Sequence, residues 1–213
     1  MIIEITNSKI DKTIIETAIS ILNDSGIIAF PTDTVYGLGC NMMNDNAIRK
    51  IFEIKGRDFD KPLAAHVSSI EQIALLSDNI PDTFYKLADK FLPGPLNIII
   101  NKKSTVSDIM TSGFQTIGIR FPDDEICTTL ISEFGRPLAA TSANLSGRTS
   151  PVSGEDVISQ FAGTIPLILN AGMTKYKQES TIISLVDDIP KLLRSGAIQQ
   201  KQLEDVLGIS LAS

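Results

Sequence analysis

Histidine is almost missing from this chain of 213 residues; His66 is the single one. That excludes a His-rich metal centre and makes any Ser-His-Asp hydrolase depend on one side chain. The two cysteines, Cys40 and Cys127, stand alone, without a CxxC spacing or histidine partners, so neither zinc nor a disulfide framework is indicated. They read as buried free thiols. Positive charge is not in excess. The net charge of −6 argues against a general nucleic-acid binder, which usually carries a basic surplus, although a local basic cleft fits inside an acidic shell. No apolar run approaches the ~20 residues that span a bilayer. The first residues show no charged region leading into an apolar one, so no leader is expected, and the reading is cytoplasmic. GxxxxGK[ST], a helix-opening GxGxxG and G-x-S-x-G are all missing, which removes the common nucleotide fingerprints and the nucleophile elbow.

What is present is an ordinary globular composition, 43% hydrophobic and 21% charged, long enough for one sizeable domain or at most two small ones. No repeat, low-complexity tract or linker divides it, and 1–213 reads as one domain. The stretch from Gly26 to Val67 organises the rest. It starts as a buried strand, Ile27 to Phe30, ended by Pro31. Thr32, Thr34, Tyr36, Gly37 and Gly39 follow, a composition suited to a polar pocket wall. A helix with Ala47, Ile48, Ile51 and Phe52 on one face and Asp45 as its N-cap then delivers Lys55, Arg57 and Lys61, which read as loop cations, and His66. That order suits a phosphorylated ligand.

Upstream, residues 11–23 carry apolar residues at helical spacing, closed by Asp24-Ser25-Gly26 with Gly26 free to turn left-handed. Downstream, Pro62 to Val67 reads as a strand and Ser68-x-x-Glu71 as a capping box. Residues 82–91 read as a helix, 96–100 as a strand, and 101–112 as a polar, mobile loop. Residues 116–121 form a strand carrying Arg120, followed by a helix to about Phe134 and a strand from Pro137 into the second hydroxyl loop, Thr141 to Gly147. A helix at 154–161, strands at 165–170, 180–186 and 191–193, and a last helix opened by Arg194-Ser195-Gly196 complete the chain. Strands and helices mix throughout, which predicts an α/β fold around a mixed sheet.

Lys55, Arg57, Lys61, Arg120 and Arg194 can neutralise a polyphosphate and a carboxylate, arginine as a planar fork and lysine as a point charge. Ser142, Asn144, Ser146 and Ser180 supply hydrogen bonds. Phosphoryl and nucleotidyl transfer depend mainly on positioning and charge, so such a set is adequate for adenylation. Taken singly, a loop cation is usually solvated surface and Ser-Ala-Asn an ordinary turn. Composition and spacing alone stop at an α/β protein suited to an anionic nucleotide.

In combination the motifs resemble the YrdC/Sua5 family of L-threonylcarbamoyladenylate synthases. The resemblance rests on PTDTVYGLG (31–39), KGR (55–57) with KPL (61–63) and His66-Val67, and FLPGPLNIII (91–100). IGIRFP (117–122), PLAATSANLSG (137–147), ESTIISL (179–185) and LLRSGAI (192–198) follow in the family's order. It implies a twisted mixed sheet flanked by helices with an open concave cleft. It also implies the conversion of L-threonine, bicarbonate and ATP to threonylcarbamoyl-AMP and pyrophosphate, for N6-threonylcarbamoylation of adenosine 37 in tRNA. By analogy, threonine's amine captures CO2 as a carbamate that attacks the α-phosphorus, and no protein nucleophile is required.

Carried over by position, Thr34, His66, Arg120, Ala140 and Ser180 hold L-threonine, with Arg120 on the carboxylate. Lys55, Arg57, Lys61, Ser142, Asn144 and Arg194 hold ATP, with Thr116 and Ser150 as further candidates, and Lys55 and Arg57 carry the catalytic charge. Mg2+ is expected through the ATP phosphates, with no protein ligand named. tRNA or tRNA-modification proteins are implied partners. Leu92, Asn97 and Asn170 depart from residues common in the family, without touching the cations. Ending at Ser213, the chain resembles the short single-domain type. Three alternatives stand beside the synthase: a YciO-type paralogue without this activity, an RNA-binding module, and a carbamoyl-transfer domain like that of hydrogenase maturation proteins. The last is disfavoured, because those chains are much longer and carry zinc-binding segments.

Overall fold

A computed structural model describes residues 1–6 and 11–212. The strands are β1 (Ile2–Glu4), β2 (Ile28–Phe30), β3 (Gly37–Asn41), β4 (Ala64–His66), β5 (Leu96–Asn101), β6 (Thr116–Arg120), β7 (Leu138–Ser142), β8 (Leu167–Asn170), β9 (Thr181–Ser184) and β10 (Lys191–Arg194). The α-helices are α1 (Lys12–Asn23), α2 (Asp45–Lys55), α3 (Asp82–Phe91), α4 (Glu125–Phe134), α5 (Gly154–Phe161) and α6 (Gln200–Leu207), with a 3-10 helix over Glu71–Leu75. All ten strands join one sheet in the order β1-β8-β2-β3-β7-β4-β6-β5-β9-β10, with parallel and antiparallel neighbours mixed. The α/β expectation holds. Among the described residues no helix is long and apolar enough to cross a membrane.

Side chains alternate across the sheet, and the register sorts them into two faces. Ala29, Leu38, Cys40, Ala139, Ala65, Ile119, Ile98 and Ile183 point to one face, where α2, α3, α5 and α6 pack as the main core. Ile28, Phe30, Leu138, Ala140, Leu167 and Leu169 point to the other, where α1 and α4 cover them. Towards β10 that second face carries Ala64, Gly118, His66, Arg120, Asn97, Ile182 and Arg194, and it forms the floor of a cleft. The helices on this face are confined to one end of the sheet. That asymmetry makes the site.

Local details differ from the pattern reading in instructive ways. Ser25, at φ 60°, takes the left-handed position after α1; Gly26 instead lets the chain pass against the Ile21 carbonyl. Residues 37–41 are a strand, because Gly37 and Gly39 let the Phe30 ring lie on β3. Asn44, not Asp45, caps α2 by accepting from the Ala47 amide, which leaves Asp45 in the first turn beside the positive end of the helix dipole. The 68–71 segment forms no capping box; Gln72 accepts from the Ser68 amide and the turn is 3-10. The 101–112 loop, expected to be mobile, is packed: Val106 and Met110 are buried in the main core, and the Leu63 amide donates to the Met110 carbonyl at 2.9 Å. Arg194 ends β10, well before α6 begins, and Ile2–Glu4 adds an edge strand that three residues are too few to announce.

Candidate active site

The cleft encloses about 330 Å³, within the usual range for small-molecule sites. Thr34, Lys55, Arg57, Lys61, His66, Arg120, Ala140, Ser142, Asn144, Ser150, Ser180 and Arg194 all line it. Thr116 does not. It shares a face with Gly118 and Arg120, but the strand rise carries it past the end of the cleft. The role of Thr116 at ATP stays a proposal, without support from the cleft lining.

Lys55 is the last residue of α2, not a loop residue, and is 2% exposed. Its Nζ donates to the Ser142 carbonyl at 2.5 Å and to that of Asn144. The Ser146 amide donates back to the Lys55 carbonyl at 2.8 Å. The ammonium thus braces the hydroxyl loop from behind. Burial, then the Arg57 guanidinium, pull its pKa down to about 7. Gly56, left-handed at φ 57°, ends the helix and turns the chain so that Arg57 also faces the cleft. Arg57 is held by the Lys61 (2.8 Å) and Pro62 (3.0 Å) carbonyls, which wraps the cationic loop around its fork. Lys61 pairs with Asp58 at 2.7 Å in solvent, a contact that contributes little.

The second hydroxyl loop is fixed internally. Ser142 Oγ donates to Asn144 Oδ1 at 2.6 Å, and Asn144 Nδ2 donates to the carbonyls of Leu145 and Arg148. Across the cleft, Arg194 grips the Ser180 carbonyl with Nε (3.0 Å) and Nη2 (2.8 Å), and its Nη1 meets Glu179 at 2.8 Å. Glu179 also accepts from Ser150 Oγ at 2.5 Å. These forks are preset by protein carbonyls and do not have to be ordered by a ligand.

The floor holds the other subsite. Arg120, 3% exposed, is ion-paired with Asp33, which is 1% exposed. Burial raises the Asp33 carboxyl pKa against the lowering effect of Arg120, and burial likewise lowers Arg120. His66 lies beside Arg120 in register, its ring edge-on to Phe30 at 6.1 Å. Burial, then the Arg120 charge, push its pKa down to about 3, so the imidazole is neutral. Thr32 and Thr34 share a contact at 3.1 Å, and Thr174 Oγ1 donates to the Thr34 carbonyl. Tyr36 lines the cleft, but its hydroxyl is engaged elsewhere. It is fully buried, and its OH bridges the Gly172 carbonyl and the Ala171 amide, tying the 171–172 turn to the floor.

Three contributors escaped the sequence reading. Asp33 stands between two threonines that were singled out, but a carboxylate in an anion site draws no attention until its arginine is known. Glu179 and Asn97 lie one residue from Ser180 and one strand from Arg120. Glu179 falls within the ESTIISL motif and Asn97 stands only as a departure from the family; neither position points to a role.

These features define a class: an α/β protein with a preset cationic cleft and, on the floor of that cleft, a buried arginine, a set of side chains suited to anions. The Sua5_yciO_yrdC family, described as "Telomere recombination", matches residues 20–196. A Pyrococcus abyssi threonylcarbamoyl-AMP synthase is 41% identical over 94% of this chain and 59% of its own length. A Bacillus subtilis protein of the same name is 43% identical over 91% of this chain and 56% of its own. The chain thus spans somewhat over half the length of these curated relatives. The crystal structure of P. abyssi Sua5 complexed with L-threonine superposes with a TM-score of 0.96 at 40% identity, covering 100% of this chain and 62% of that one. Escherichia coli YciO, at 24% identity and a TM-score of 0.87, shares the fold. The chain belongs to the Sua5/YciO/YrdC family.

Proposed function

We propose that the cleft is the active site of an L-threonylcarbamoyladenylate synthase, a nucleotidyltransferase that converts L-threonine, bicarbonate and ATP to threonylcarbamoyl-AMP and pyrophosphate. The observation that carries this reading is one cleft lined both by Lys55, Arg57, Lys61 and Arg194 and by the buried Arg120, in a chain so similar to proteins bearing the synthase name. Arg120 takes the threonine carboxylate, while neutral His66, Thr34 and Ser180 supply hydrogen bonds around it, with Ala140 in the floor. Arg57, Lys61 and Arg194 grip the triphosphate, Ser142 and Ser150 reach its remaining oxygens, and Lys55 and Asn144 hold that loop in shape. The carbamate of threonine attacks the α-phosphorus; one O–P bond forms, the bond to the bridging oxygen breaks, and pyrophosphate leaves with the electron pair. The protein supplies alignment and charge, the main requirements of such a transfer.

Mg2+ fits this site only as a companion of the triphosphate. No group of three His, Cys, Asp or Glu side chains among the described residues is placed to hold a metal. The product would feed threonylcarbamoylation of adenosine 37 in tRNA.

Pyrophosphate release from ATP, with Mg2+ and bicarbonate, is the direct test. Release that depends on L-threonine and not on serine, with the adenylate detected by mass spectrometry, is the expected result. ATP binding without release would move the protein to the YciO type. Arg57→Ala and Ser142→Ala should each abolish product in folded protein, and Arg120→Ala should raise the KM for threonine far more than that for ATP. Unchanged turnover in Arg57→Ala would remove that residue from the reaction.

A further inference from the structure

Among the described residues, the buried side-chain atoms without a hydrogen-bond partner are Asp33 Oδ2, His66 Nδ1, Asn97 Oδ1 and Ser112 Oγ. Three of these residues surround one guanidinium. Asp33 pairs with Arg120 from behind, His66 stands opposite Arg120 across the β4–β6 ladder, and Asn97 stands opposite it across the β5–β6 ladder. Buried polar groups in folded proteins are nearly always paired. His66 and Asn97 line the cleft, while Asp33 lies outside its lining; unspent hydrogen-bonding capacity at those two positions therefore marks where a ligand completes the set.

Asn97 is seated in a particular way. A Cβ built on Gly118 would fall 2.8 Å from Asn97 Oδ1 and 3.1 Å from Nδ2, so the amide lies flat on the bare backbone of β6. Any side chain at position 118 would lift it. On its other flank is Ile182, and next along the row is Arg194. The row across the sheet thus runs His66, Arg120, Asn97, Ile182, Arg194, and Asn97 stands between the arginine of the small-anion subsite and the apolar step towards the polyphosphate side.

We propose that Asn97 is a substrate-contact residue that recognises the α-amino-acid end of the substrate beside Arg120. This rests on the threonine reading above. A carboxamide offers one donor and one acceptor, and its last torsion is broad enough for both to face the cleft. Nδ2 donates to a carboxylate oxygen that Arg120 already holds, and Oδ1 accepts the N–H on the neighbouring carbon. The amide adds grip without adding charge, at a guanidinium whose own charge is offset by Asp33. The ligand class is an amino acid with a free carboxylate and an N–H, as the amine or its carbamate.

The test is calorimetric titration of L-threonine into the full chain, with a non-hydrolysable ATP analogue and Mg2+, paired with steady-state KM values. Asn97→Asp keeps the shape but sets a negative charge against the carboxylate. It should weaken threonine binding by about tenfold or more, 1.4 kcal/mol per factor of ten, and leave the KM for ATP within about twofold. Gly118→Ala should weaken threonine binding similarly in the wild-type background and add nothing to Asn97→Ala. Should Asn97→Asp fail to fold, Asn97→Ser carries the same expectation of selective threonine loss. Wild-type affinity in these variants, or equal losses for ATP and threonine, would overturn the assignment of Asn97 alone. A wild-type protein that binds the nucleotide but no threonine would overturn the functional reading, and Asn97's role with it.

Discussion

Asp33 and Arg120 form an ion pair almost without solvent, so neither charge has water to fall back on. Removing one partner strands the other. Asp33→Ala should therefore cost about 3–5 kcal/mol, read as a lower urea midpoint, whereas Asp33→Asn keeps an acceptor and should cost less. Equal midpoints for Asp33→Ala and wild type would show that Arg120 is not confined by this pair.

Lys55 makes a different statement at the same scale. Its pKa falls to about 7 in the protein, against 10.5 ordinarily, so the unfolded chain binds more protons between those values and stability rises with pH across that window. On the ATP reading proposed above, a triphosphate in the cleft would restore the ammonium. Binding of an ATP analogue at pH 8 should then take up protons, giving calorimetric heats that vary with the buffer's ionisation enthalpy, and Lys55→Met should abolish that variation. Identical heats in all buffers at pH 8 would contradict it.

At the scale of elements, the cationic loop depends on how α2 is closed at both ends. Asn44 caps the start through the Ala47 amide and, through Nδ2, reaches Ser25 Oγ at 2.6 Å. Asn44→Ala should cost about 1 kcal/mol in thermal unfolding, with Asn44→Asp recovering most of it; no change would mean that packing alone sets the helix start. At the other end, the left-handed Gly56 separates two cations that both face the cleft. A periodicity reading ends the helix near there, but it cannot tell that Lys55 is the last helical residue and points inward. The 101–112 loop carries a related lesson. Its polar composition suggested mobility, whereas Val106 and Met110 are two apolar anchors too far apart to form a pattern.

At the scale of the whole molecule, His66 couples the site to acid stability. Its pKa of about 3 lies below the 6.5 of an unfolded chain, so the unfolded state binds the extra proton between those values. Stability is retained above pH 6.5 and is lost as pH falls towards 3, at up to ~1.4 kcal/mol per pH unit. His66→Gln should flatten the urea midpoint against pH over that window, apart from the loss due to carboxylates. A curve parallel to wild type would show that the imidazole is not held neutral.

Most helices and strands were legible because they depend on short-range patterns: apolar spacing, caps, prolines and glycines that act within a few residues. The composition of the site was legible too, since cations and hydroxyls in loops with no rival chemistry leave few readings, and the motif order narrowed them to one family. Short elements and exact partners were not legible. The edge strand β1, the break between β10 and α6, the pairing of Asp33 with Arg120 and the seat of Asn97 on Gly118 all depend on residues far apart in the chain. The sequence by itself determined which residues could hold anions and which segments would be buried. Tertiary structure decided that α1 and α4 cover only one end of a sheet face, which lets the buried Arg120 and His66 line a cleft. It also decided that Thr116 lies beyond the cleft. The physical reason is strand register: it sets neighbours across the sheet through hydrogen bonds between distant segments, and no local pattern encodes it.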